Sequence, residues 1–167
     1  MAPSLSALAR AHRTLVFAHE AIVRLVDDFP PEQAAFQACP TDNHLLWQLG
    51  HVALDYRWFA AAIDGAPTGT TEQEAALFGP GSRPAPDAGA YPPLAQLRAR
   101  LDESWQRLGA AAEGLRDQDA AQPPRADTGG LLTDRLDAVE KAAWHSGWHA
   151  GQISGLRRAL GLGPVLF

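Results

Sequence analysis

The chain of 167 residues has one cysteine, Cys39. It cannot close an intrachain disulfide, and that suits a reducing compartment. Cys39 precedes Pro40 and reads as a half-buried small residue of a loop. No apolar run approaches the ~18 residues of a membrane span. The N-terminus lacks the unbroken apolar stretch of a secretory signal, because His12, Arg13, His19, Glu20 and Arg24 interrupt every run. These absences point to the cytoplasm and away from a membrane. Clustered cations are missing as well. The formal net charge is −5, and only Arg157 and Arg158 are adjacent among the scattered arginines. A nucleic-acid groove is therefore not expected, since phosphate binding needs grouped Lys and Arg. The Arg157-Arg158 pair falls near a helix end, where cations oppose the macrodipole. No period-2 pattern appears, so no strand is expected.

What is present is helical periodicity. Leu8, Ala11, Leu15, Ala18, Ile22, Leu25 and Phe29 repeat at three and four, predicting a first helix over residues 4–28 with Ser4 as a cap. Pro30-Pro31 stops it. His12 and His19 fall at the edge of its stripe, a boundary or solvent-facing place. A second helix is predicted over about 43–64, with Thr41-Asp42-Asn43 offering caps. Its core stripe is Leu45, Leu49, Val52, Tyr56, Phe59 and Ile63. An adjacent stripe carries His44, Gln48, His51, Asp55 and Trp58, which suggests a polar pocket inside an apolar shell. His44 sits in the first turn and suits a capping or solvent role.

Residues 65–90 are rich in Gly and Pro and form a long connection with room for one helical turn at 72–78. Such a loop either crosses one end of a bundle or covers a pocket. A third helix starts at Tyr91-Pro92-Pro93 and runs to about 118 on Leu94, Leu97, Leu101, Trp105, Leu108, Ala112 and Leu115. A second polar loop spans 119–130. The fourth helix, about 131–160, turns Val139, Ala142, His149, Ile153, Leu156 and Leu160 inward. Gly147, Gly151 and Gly155 recur every four residues, a ridge that lets another helix approach within the chain or across a dimer. Four helices and one long crossover predict an all-α, single-domain four-helix bundle.

The chemistry centres on Trp144-His145-Ser146-Gly147-Trp148-His149-Ala150-Gly151-Gln152. Residues i and i+4 share a helix face, so His145 and His149 can grip one ion. They make half a site, and His51 on the second helix is the best partner. Three neutral imidazoles suit Zn²⁺ or Ni²⁺ and leave a coordination position open for water or substrate. Asp55, one turn after His51, fits a base or a hydrogen-bond partner behind a ligand. Gln48 and Gln152 fit the orientation of water or substrate. Ser146 stands where a zincin peptidase has Glu, and His19-Glu20 lacks the second histidine of that motif. Trp47, Trp58, Trp144 and Trp148 read as core or pocket wall.

Leu46-Trp47-Gln48-Leu49-Gly50-His51 resembles the first histidine motif of the DinB-like (DinB/YfiT) superfamily. His145-Ser-Gly-Trp-His149-Ala-Gly-Gln152-Ile, with Leu156-Arg157-Arg158-Ala-Leu-Gly161 after it, resembles the second. The resemblance spans nearly the whole chain. It implies an up-down-down-up four-helix bundle, often a homodimer, with a divalent metal, commonly zinc or nickel, on His51, His145 and His149. It also implies an enzyme class: metal-dependent transferases and isomerases that use low-molecular-weight thiols such as bacillithiol or mycothiol. An S-transferase acting on a small electrophile is the leading expectation. A hydrolase using metal-activated water, and a non-enzymatic dimeric bundle with a structural or sensory metal, are the alternatives.

Overall fold

The computed structural model describes residues 5–165, so the cap expected at Ser4 lies outside the described residues. The described chain is helical and without strands. The helices are α1 (Ala7–Asp27), α2 (Leu45–Asp64), α3 (Glu72–Phe78), α4 (Leu94–Gly114), α5 (Asp117–Ala120) and α6 (Arg135–Ala159). Short 3₁₀ turns stand at Pro31–Gln33 and Ala88–Ala90.

The periodic stripes become the core. Leu15, Ile22, Leu45, Leu49, Val52, Tyr56, Leu97, Leu108, Val139, Ala142 and Ile153 are wholly buried. A fully buried Leu or Ile contributes ~1.5–3 kcal/mol relative to an exposed one. Helix ends follow local chemistry. Ser6 caps α1 by accepting from the Ala9 N–H. Thr71 and Glu74 form a reciprocal capping box on α3. The cap of α2 is His44 and not Thr41, Asp42 or Asn43. Its Nδ1 accepts the Trp47 N–H at 3.1 Å, while its Nε2 donates to the Ala85 carbonyl at 3.0 Å. Two partners from different segments outbid the usual short polar cap, and they bury His44 completely. The third helix ends at Gly114, short of the expected 118, because the chain turns at Leu115 before the single turn of α5.

Side-chain contacts give the course of the bundle. His44 meets Tyr91 at the start of α2 and α4, Glu74 bridges Arg57 and Arg100 at mid-height, and Asp64 meets Arg107 near the end. The two helices are therefore parallel, and the long connection is what returns the chain to the same end. α1 opposes them, since His19 stacks on Trp105 and Arg98 reaches the Asp27 carbonyl. α6 runs with α1: Ala7 and Arg10 face Glu140 and Trp144 at one end, and Leu25 meets Arg157 at the other. The bundle is up-down-down-up.

Several exposed positions differ from expectation. Cys39 is exposed and not half-buried. Trp148 is 55% exposed and neither core nor wall. Among the described residues, the ridge of Gly147, Gly151 and Gly155 packs on nothing; a Cβ at any of them would meet no atom within 4 Å outside its own helix backbone and chain neighbours. Conversely, His19 is buried between Trp105, whose ring stacks at 3.9 Å, and the Tyr56 hydroxyl at 3.3 Å. Burial lowers its pKa to about 4, so it stays neutral inside the bundle.

Candidate metal centre

The site begins with a missing side chain. Gly50 precedes His51 on α2, and a Cβ there would lie 2.2 Å from the Phe78 ring. Glycine thus admits the end of α3 against α2. That approach places the Phe78 carbonyl 2.8 Å from His51 Nδ1, which donates to it. The Trp47 ring stacks on His51 at 4.5 Å. Held on both sides, His51 presents Nε2 to α6. We expect Gly50→Ala to push Phe78 out of its buried place, costing about 1–3 kcal/mol. Affinity for zinc should fall about 10- to 100-fold, as when a ligand histidine loses its outer hydrogen bond. Thermal denaturation and chelator competition measure the two effects, and unchanged zinc affinity would refute the positioning role of Gly50.

α6 supplies the other two imidazoles. His149 Nδ1 donates to Gln48 Oε1 at 3.2 Å, and the Gln48 amide is fixed because its Nε2 donates to the Asn43 carbonyl at 2.7 Å. His149 therefore also turns Nε2 inward. His145 Nε2 lies 3.2 Å from His149 Nε2. Ligand atoms of His51, His145 and His149 all fall within 4.8 Å of one another. Tetrahedral zinc with Zn–N bonds of ~2.0–2.1 Å brings neighbouring nitrogens to ~3.3 Å; the His145–His149 pair stands at that spacing, and the His51 ligand atom is within 4.8 Å of both. The three side chains can hold a divalent metal.

Electrostatics point the same way. Burial, with the neighbouring histidines adding to it, lowers the pKa of His145 to about 4 and of His149 to about 3. Neutral rings with a free Nε2 lone pair are what a metal requires. Asp55 stands on the inner side of the cluster. Its Oδ2 is 3.1 Å from His145 Nε2 and 3.4 Å from His51 Nε2. It faces the ligating nitrogens, and the partner behind His51 is instead the Phe78 carbonyl. Burial raises the Asp55 carboxyl pKa, opposed by His51. Gln152 lies on α6 with a buried Oε1 that has no partner, and His145 Nδ1 is likewise unpartnered.

Sequence reasoning did not reach the Phe78 carbonyl, the role of Gly50, or Leu54, Pro80, Leu131, Leu132 and Lys141, which line a cavity opening beside Asp55 and His145. A backbone acceptor carries no residue signature. The loop residues gain meaning only once α2 and α6 are side by side.

A helical bundle whose facing helices converge three histidines is the architecture of a metal-site bundle protein. The family model of the DinB superfamily matches residues 14–153, and the chain belongs to that superfamily. No curated protein matches the chain. Among the described residues, no helix is long and apolar enough to cross a membrane.

Proposed function

We propose that the protein is a metal-dependent enzyme of S-transferase type, joining a low-molecular-weight thiol to a small electrophile. The observation that supports this most is a cluster of three histidines and, among the described residues, no fourth histidine or cysteine, with the Asp55 carboxyl facing the same nitrogens and a cavity leading to it. Closed structural sites use four protein ligands, whereas three leave room for a reactant. A divalent ion there, zinc or nickel, supplies Lewis acidity and favours the deprotonated form of a bound thiol. The chain's own residues do the rest. His51, His145 and His149 hold their inner nitrogens in place through Phe78, Gln48 and packing. Asp55 is placed to take the proton that a thiol releases. The outward Trp148 and glycine ridge of α6 favour a homodimer, and the lone surface thiol favours a cytoplasmic setting.

The test adds candidate thiols, bacillithiol and mycothiol among them, with a generic electrophile to zinc- or nickel-loaded protein. Metal-dependent thiol consumption is expected, lost in His51→Ala. No consumption with any thiol would sink the transferase reading. Binding of less than about 0.2 metal per chain after reconstitution would remove its basis.

A further inference from the structure

A cavity of about 530 Å³ adjoins the histidine cluster, with Asp55 and His145 at its inner end. Leu54, Trp58 and Phe59 of α2 form one wall, and Leu131, Leu132 and Trp144 form the other. Such a volume lies within the ~300–1,000 Å³ of small-molecule sites. The cation in the lining, Lys141, is already engaged: its Nζ donates to the Leu131 carbonyl at 2.6 Å and to Asp137 at 2.9 Å. The polar groups left to meet a ligand are those at the inner end.

This decides what fits. A hydroxyl or amide desolvated against these walls would be left without a partner, which disfavours its binding. An apolar body gains from each part of its surface removed from water, with added benefit from ring contacts to Trp58 and Trp144. A polar cavity of about 410 Å³ does exist elsewhere, lined by Arg57, Arg100, Arg107, Glu74 and Glu103, but none of the three histidines borders it.

We propose that the apolar cavity seats the body of the substrate, an uncharged hydrophobic molecule about the size of two fused aromatic rings. Its polar reacting end then faces Asp55 and the histidines. This rests on the reading of the cluster as a metal centre, and it assigns the cavity to the electrophile and not to a polar thiol.

The test uses N-phenyl-1-naphthylamine, an uncharged dye that brightens out of water, on metal-free and zinc-loaded protein. Saturable binding of one dye per chain is expected in both. Leu131→Glu and Trp144→Glu, at positions 67% and 64% exposed and so tolerant of charge, should weaken it about tenfold or more. Phe17→Glu, exposed on α1 away from the cavity, should not. Zinc-loaded protein should also prefer 2-naphthohydroxamate to acetohydroxamate about tenfold, and Trp144→Glu should erase that preference. No saturable dye binding, equal weakening by Phe17→Glu, or equal affinity for the two hydroxamates overturns the proposal. A protein that binds the dye but no zinc retains its apolar cavity and loses the metal-dependent function, so the two failures are distinct.

Discussion

His149→Ala is expected to cost the protein its stoichiometric zinc, with affinity falling by more than the 10- to 100-fold typical of losing an outer hydrogen bond to a ligand. The ring is 3% exposed and contributes one of three inner nitrogens. Two imidazoles of the same cluster remain, but they cannot surround an ion against water. Gln48→Leu supplies the graded comparison. It keeps the ring and removes the acceptor that holds His149 Nδ1, so rotation of the ring, not loss of the donor, weakens binding. Its effect should fall between wild type and His149→Ala. Competition against a chromophoric chelator gives the affinities, and circular dichroism checks that α6 is intact. Equal zinc binding by His149→Ala and wild type would rule out the cluster as the metal centre.

Arg157→Met is expected to lower the melting temperature by about 4–16 °C, from a loss of about 2–4 kcal/mol at ~2–4 °C per kcal/mol for a chain of this size. The guanidinium is 2% exposed. It donates to the Leu25 carbonyl at 2.9 Å, to the Gly163 carbonyl at 3.1 Å and to both oxygens of Asp28. One side chain thus fastens the end of α1, the end of α6 and the segment after it. Methionine fills similar volume but strands the buried Leu25 carbonyl and releases the Asp28 and Gly163 contacts. Asp28→Asn should be far milder, because that carboxylate is largely in solvent and an amide oxygen still accepts. Its pKa is held below the usual range, first by the hydrogen bond from Arg157. Equal melting temperatures for Arg157→Met and wild type would remove the clamp from the account.

Arg157 also shows where sequence reading falls short. Beside Arg158 near a helix end it looked like a cation facing the macrodipole, yet the inner face of α6 passes through residues 146, 149, 153 and 157. Burial of an arginine is tolerable only when acceptors from other segments meet it, and those are tertiary. His44 caps α2 as its place in the first turn suggests, but its enclosure by Ala85 and Tyr91 is tertiary, as is that of His19 by Trp105 and Tyr56. Trp148, by contrast, reads from the sequence as core or pocket wall and is neither. Its position falls on the outward side of α6, where it is 55% exposed.

The sequence alone determined the helices, their buried stripes, the long return connection and the histidines of the cluster. Each of these follows from short-range spacing: 3.6 residues per turn places His145 beside His149 and lines up Gln48, His51 and Asp55. Only the tertiary structure decided which nitrogen His51 and His149 present, because that depends on acceptors at Phe78 and Gln48 from other segments or helices. Only it turned Asp55 toward the ligating nitrogens and closed an apolar cavity beside them from α2, α6 and the loop before α6. Such features depend on contacts between distant segments, for which the spacing along one helix carries no information.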